Sequence, residues 1–348
     1  MNVTADRGAD TQGADTRRAR RTWRGRGGGR RGGTRGTLSV VGRAVLVALI
    51  WPVVRVLDLF GQWPRALGRL MNRAMSRFGP YQPGAHDVLV CSYFKSGTNW
   101  TMQIAVQIAH RAAARFEHIH DLVAWPEARR GARGIGVPIE DESTWRDSPT
   151  ALRVIKTHLR AGQVPYSPAA RYICVVRDPK DVFVSSYHFV RDGMLGVLMP
   201  PKHKWLRMFL SPDAISGSWA EHVAGWWALR ERDNVLFLTY EEMKADLPGS
   251  VRRIASLMGV ALSEAELDSV VQQAGFEHMK SIEDRFNLGG RFRGHRAASR
   301  MIRRGQSGGS AEMLSTEEQQ RIDAWCRTEL VRLDCDFPYG RVFATPVL

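Results

Sequence analysis

Four uninterrupted apolar runs constrain the fold more than any other feature. They are "DVLVCSY" (87–93), "ALRVIKTH" (151–158), "RYICVVR" (171–177) and "NVLFLTY" (234–240). A strand with one wet face alternates apolar and polar residues, whereas a strand covered on both faces is apolar throughout. Helical patterns separate the runs. Residues 98–112 place Met102, Ala105, Val106 and Ala109 on one face. Residues 263–274 open with a Ser263–Glu266 capping box. Residues 316–333 open with Ser315–Glu318 and turn Ile322, Trp325, Leu330 and Leu333 inward. Strands alternating with helices read as α/β, a central and mainly parallel sheet flanked by helices. No internal repeat is visible.

The remaining chain falls into segments. Residues 1–36 are Arg/Gly-rich and lack apolar periodicity, so a disordered tail is expected. Ten Arg against three Asp put seven of the chain's fifteen excess positive charges there. The composition suits contact with nucleic acid or anionic lipid as well as it suits a plain solvated tail. Residues 37–85 contain "RAVLVALIWPVVR". Its apolar core, Ala44 to Val54, is too short for a spanning helix, which needs about 20 residues. No small-residue cleavage site follows, so a helix packed on the domain or lying on a membrane surface is expected, with Pro52 disturbing it. The α/β domain proper is read as 86–340, a single domain, with a C-terminal tail at 341–348. Chemistry is expected to need nothing before about Met71. The four cysteines, Cys91, Cys174, Cys326 and Cys335, form no C-x-x-C pair, which points to reduced thiols and a cytoplasmic protein.

Two strand ends carry anion-binding chemistry. "KSGT" (95–98) lies between the first run and a helix. Its turn would aim backbone N–H groups at an anion, with Lys95 adding charge and Ser96 and Thr98 adding hydroxyls. The lysine precedes the glycine, so this is not a Walker A loop. "VVRDPKDVFVSSYHF" (175–189) repeats the design, ending a strand at Arg177, starting a helix at Asp178-Pro179 and placing Ser185 about two turns on. A third basic cluster, "MIRRG" (301–305), sits in the long Gly- and Arg-rich loop 285–312. "KTHL" (156–159) puts His158 at a strand end, where α/β sites form.

In this order the four elements resemble sulfotransferases that use 3′-phosphoadenosine 5′-phosphosulfate (PAPS), closest to the cytosolic type and in a bacterial-looking version. "YFKSGTNW" is similar to that family's 5′-phosphosulfate loop, and "RDPKDVFVSSYHF" to its 3′-phosphate motif. "LTYEEMKAD" (238–246) and "GFEHMK" (275–280) match later elements, so the resemblance spans about 86 to 340. It implies a P-loop-kinase-like single domain. It also implies Lys95 on the leaving oxygen, with Ser96, Gly97, Thr98 and Asn99 around the 5′-phosphate. His158 becomes the general base and Lys156 supports charge at the sulfonate. Arg177, Ser185 and Arg303 read the 3′-phosphate, supported by Arg304 and Gly305. Trp100 and Phe276 sandwich adenine and Tyr240 borders it, although Trp100 suits the core equally well. No metal is implied. Phe94 and Asn99 depart from the family's usual proline and threonine, and "RRGQSGGSAEML" lacks its usual aspartate, tryptophan and lysine.

The alternatives are a P-loop-like kinase, a nucleic-acid-binding protein acting through its tail, and a degenerate PAPS-binding member. A kinase is disfavoured by the missing Walker A, and no specific nucleic acid is expected. The acceptor is expected to be a small hydroxyl or amine compound. Aromatics in 115–150 and 191–215 (Trp125, Trp145, Trp205, Phe209) favour an apolar one. A glycan on the Asn99-Trp100-Thr101 sequon would block the loop, which again favours the cytoplasm, with peripheral membrane contact through residues 1–60.

Overall fold

The computed structural model describes residues 40–59, 61–74, 78–128, 136–287, 302 and 308–343. The 1–36 tail, Arg303, Arg304, Gly305 and 344–348 lie outside the described residues. Contacts divide the chain into Met1–Arg43 and Ala44–Leu348. The second unit is the α/β body.

Five strands form it: β1 (Asp87–Ser92), β2 (Val123–Ala124), β3 (Arg153–Thr157), β4 (Arg171–Val176) and β5 (Val235–Thr239). They lie in the order β2-β3-β1-β4-β5, and every pairing is parallel. The apolar runs explain this. Val88 and Val90 face one layer while Leu89 and Cys91 face the other, all fully buried. Beneath the strands, the buried Arg153 guanidinium holds Asp87 at 2.6 Å and fixes the entry of β1 beside β3. The two-residue β2 is too short to stand out in sequence.

The helices before β4 are α1 (Val40–Leu59), α2 (Trp63–Ala74), α3 (Thr98–Ala109) and α4 (Ser143–Arg146). Then come α5 (Pro179–Val190), α6 (Lys202–Phe209) and α7 (Trp219–Trp227). After β5 follow α8 (Tyr240–Ala245), α9 (Leu247–Met258), α10 (Glu264–Ala274), α11 (Phe276–Ser281), α12 (Thr316–Arg332) and α13 (Tyr339–Val342). Helices α3, α9 and α10 cover one face; α5, α6, α7 and α12 pack a second cluster toward the other. Both capping boxes read from the sequence form, at Ser263 and Ser315. Of the inward set on α12, Ile322 and Leu330 are buried, whereas Trp325 and Leu333 are only partly covered. All four cysteines are free, three of them buried and Cys335 half-buried.

Two expectations change. Helix α1 runs through Pro52 without ending there. A cut at Met71 would pass through α2, whose Leu67 is buried and whose Trp63 indole donates to the Leu198 carbonyl at 2.9 Å. Among the described residues, no helix is long and apolar enough to cross a membrane.

The strand order places the site. The chain leaves β1, fills one side with β2 and β3, then crosses to the other side with β4. The loops after β1, β3 and β4 therefore meet at the switch point, where open α/β sheets bind ligands.

Candidate active site

The turn after β1 is set by two left-handed residues, Lys95 (φ 68°) and Gly97 (φ 96°). Ser96 donates its amide to the Tyr93 carbonyl at 3.0 Å, closing the turn. The Thr98 and Ser92 hydroxyls lie 2.6 Å apart, tying the start of α3 back to the strand. First-turn amides of a helix have no intrahelical acceptor, so the N-terminus of α3 presents donors to an anion. The Ser96 hydroxyl is fully buried and has no hydrogen-bond partner. A methyl group at Gly97 would meet the Tyr240 ring at 2.8 Å, so the cradle admits only glycine. This arrangement fits a phosphate or sulfonate.

Two cations face it. The Lys95 ammonium sits 4.2 Å from the centre of the Phe189 ring. Burial, then the Arg177 charge, pull its pKa down to about 8 against the opposing pull of Glu283. Arg177, just past β4, stacks its guanidinium 4.5 Å over Tyr240 and donates to Asp181 at 3.1 Å. The same Asp181 oxygen accepts the Gly308 amide at 3.0 Å. Ile302, next to Arg303, gives its amide to Glu283 at 2.7 Å. Both described neighbours of the 303–307 stretch are thus pinned to carboxylates that act on Arg177 or Lys95. Ser185 lies one turn past Asp181 on α5, half-buried. Asp178 caps α5 through the Lys180 amide at 2.8 Å.

The aromatic expectations split. Trp100 is partly buried against the core, donates its indole N–H to the Ala274 carbonyl at 2.8 Å and meets Tyr240 edge-on at 5.2 Å. Phe276 opens α11, about a third exposed, beside the Lys280 ammonium. Asn99 is half-buried in the first turn of α3.

The third strand end brings His158. Cys91 pairs in register with Thr157, which sets His158 beside Ser92. His158 is buried, and its Nδ1 lies 2.8 Å from the Ser92 carbonyl. A carbonyl only accepts, so Nδ1 carries the proton and Nε2 the lone pair. Burial, with the Lys156 charge behind it, holds the ring well below the ordinary histidine pKa, so it is neutral. Phe94 and Trp125 meet the ring edge-on at 6.0 and 5.8 Å. Lys156 is buried with its ammonium 3.5 Å over Trp125, and desolvation takes it down to about 7 despite Glu127.

Several of these partners were not read from the sequence. Glu127 is buried and accepts the His158 amide at 2.6 Å. Trp125, Phe189, Asp181 and Glu283 complete the surroundings. Asp181 and Phe189 lie inside the 175–189 motif without a role read for them, Trp125 reads only as an acceptor-side aromatic, and Glu127 and Glu283 belong to no motif. Among the described residues no group of His, Cys, Asp and Glu forms a metal cluster. A cavity of about 540 Å³ opens at the opposite, N-terminal ends of the strands, between His86, Trp145 and Arg171, and none of the candidate site residues lines it.

The sequence profile described as "Sulfotransferase domain" matches residues 85–334. The chain belongs to the sulfotransferase family. Human sulfotransferase 1C2 is 31% identical over 217 residues, 59% of this chain and 69% of the relative. Rabbit amine sulfotransferase is 33% identical over 261 residues, covering 72% and 82%. Among solved structures, retinol dehydratase in complex with retinol and PAP superposes with a TM-score of 0.59 at 25% identity, over 75% of this chain and 84% of the other. The protein is a PAPS-dependent sulfotransferase of the cytosolic type. PAP is bound in its structural neighbours. These relatives are animal proteins, and nothing supports the bacterial look. The kinase reading falls with the family assignment.

Proposed function

We propose that this sulfotransferase moves a sulfonate from PAPS to the hydroxyl or amine of a small, apolar acceptor, with His158 as general base and Lys95 at the leaving oxygen. One observation carries the reading. The buried, neutral His158 has Nδ1 committed to the Ser92 carbonyl, which leaves Nε2 as a base. PAPS supplies an electrophilic sulfur on a bisphosphate leaving group. As the acceptor oxygen bonds to that sulfur, Nε2 takes the hydroxyl proton. Lys95 neutralises the charge left on the bridging oxygen as its bond to sulfur breaks. Lys156, poised near 7, acquires full charge when the sulfonate comes near. The amides of Ser96 to Asn99, with the Ser96 and Thr98 hydroxyls, hold the 5′-phosphate.

Arg177 and Ser185 read the 3′-phosphate, Arg177 exchanging Asp181 for phosphate oxygens. Arg303, Arg304 and Gly305 carry the same assignment from sequence alone. Tyr240 borders the adenine with Trp100 and Phe276. The acceptor class is supported by relatives named an amine sulfotransferase and a 3-beta-hydroxysteroid sulfotransferase. Buried free thiols and the sequon within the cofactor loop support work in the cytoplasm.

The test is His158→Ala, assayed with radiolabelled PAPS and phenols of graded acidity. A general base contributes about 10²–10⁴ in rate, so turnover should fall by that factor while PAP affinity holds. The loss should be largest for the least acidic acceptors. Equal kcat in both proteins, with the same dependence on acceptor acidity, would place the base elsewhere.

A further inference from the structure

Helix α1 presents an unusual surface. Between Ala48 and Val53 every residue is exposed, and all are apolar. Leu49, Val53, Val56 and Leu59 share one side of the helix, Leu59 80% and Leu49 70% exposed, Trp51 is exposed on the opposite side, and Leu70 of α2 is exposed as well. A helix that is apolar and bare has no reason to remain in water; such helices are buried or lie in a bilayer interface. The charges around it are of one sign. Residues 40–74 contain five Arg and one Asp, and that Asp58 is paired with Lys204 at 2.8 Å. Arg55 and Arg65 are exposed, Arg55 beside Trp51. The sequence leading into α1 is strongly basic as well. An apolar run flanked by arginines in sequence, with an aromatic beside one of them, fits the boundary of an anionic leaflet.

The patch is tied to the region beside the site. Trp63 donates to the Leu198 carbonyl, Lys204 holds Asp58, and Asn72 bonds both Ala214 and Ser216. Segment 191–215 begins two residues after Phe189, whose ring lies under Lys95. Within it Met194 and Val197 are exposed apolar residues.

We propose that α1, with the arginines of α1 and α2, docks this enzyme on an anionic lipid surface and opens its acceptor side to compounds dissolved in that lipid. The second clause rests on the proposed transfer reaction; the first does not.

The full chain is floated with vesicles of zwitterionic phospholipid and with the same lipid containing phosphatidylserine. Binding is expected with phosphatidylserine and should weaken as salt rises. The triple variant Leu49→Glu, Val53→Glu, Val56→Glu changes only exposed side chains and keeps every arginine. It should lose at least tenfold in binding while retaining its circular dichroism and PAP affinity. Arg55→Ser with Arg65→Ser should lower the preference for phosphatidylserine. Undiminished binding by the triple variant would overturn the docking, because attraction by arginine alone would then suffice. So would a parent that ignores vesicles but sediments as a dimer which the variant breaks, since a second copy would then cover the face. In the activity arm, the triple variant should lose turnover of a sterol held in the vesicles and keep turnover of a soluble phenol. Equal sterol turnover would overturn the lipid-supplied acceptor. Flotation without any sulfonate transfer in the parent would sink the transfer reading and leave the docking standing.

Discussion

On the proposed reading two lysines stand where the anionic donor binds, and desolvation keeps neither of them fully charged near pH 8. Lys95 is held near 8 by burial and then by the Arg177 charge, and Lys156 near 7 by burial, with the Lys95 charge adding to it against Glu127. The sign follows directly. A depressed lysine pKa means the folded, ligand-free protein binds fewer protons than an ordinary ammonium would. An incoming anion favours the charged form and raises both values. Binding of adenosine 3′,5′-bisphosphate at pH 8 should therefore take up protons, on the order of one per site if both lysines respond. Calorimetry in buffers of different ionisation enthalpy measures this. Glu241, held near 7, and Asp178, near 6, are also buried beside Arg177, and an anion raises them too, so Glu241 adds uptake in the same window as Lys156 and only the comparison of variants separates the lysine's share. In Lys156→Met the uptake should fall by up to about nine-tenths of a proton, because a group near 7 is about nine-tenths deprotonated at pH 8 whereas Lys95, near 8, is about half deprotonated. A binding heat independent of buffer at pH 8 would mean that neither lysine meets the ligand.

At the scale of elements, the strand–turn–helix from β1 to α3 depends on one backbone conformation. Gly97 lies at φ 96°, with the Tyr240 ring where a side chain would begin. Left-handed backbone costs a residue with a Cβ roughly 1–2 kcal/mol. The clash adds to that by pushing Tyr240, on which Arg177 leans. Gly97→Ala should lower the melting temperature by a few degrees and PAP affinity by tenfold or more. Ser96→Ala, which removes a buried hydroxyl that has no partner in the free protein, should lose affinity while keeping or gaining stability. If Gly97→Ala bound PAP like the parent, the turn would not be the phosphate cradle. This element was legible in sequence because every residue that makes it is local. A buried strand, a lysine, a glycine and a helix follow within a few positions, and the same holds for Arg177 with α5. His158 was legible because a strand end fixes its position. What surrounds these residues was not. Glu127 comes from the irregular stretch before β3 with no periodicity to mark it, and Trp125 beside it was legible only as an aromatic, not as the ring against Lys156 and His158. Phe189 reaches Lys95 only because α5 folds back over the turn. The exposure of α1 was hidden too, since an apolar run reads the same whether it is buried or bare.

Across the whole molecule, the parts before the family match are not interchangeable. Residues 1–43 fall outside the unit that holds every candidate site residue. Helix α2 is different. Its Asn72 holds the Ala214 carbonyl and the Ser216 amide, each at 2.8 Å. The hydroxyl of Tyr93, two residues before Lys95, lies 3.1 and 2.8 Å from the carbonyls of Ile215 and Gly217. Segment 214–217 is therefore clamped between α2 and the start of the turn after β1. A chain starting at Ala44 should melt within a couple of degrees of the full one and turn over a soluble phenol at the same rate. A chain starting at Met71 loses the buried Leu67, the Trp63 bond to Leu198 and the Asp58–Lys204 pair. Deleting one buried leucine side chain alone costs about 2–5 kcal/mol, so its melting point should fall by several degrees. Its kcat should fall as well, because Tyr93 then leans on a segment held from one side only, and Lys95 moves with it. Thermal melts and steady-state rates on the two truncations separate the cases. Equal stability and rate in both would show that α2 merely rests on the domain and that the clamp on 214–217 carries no strain to the loop.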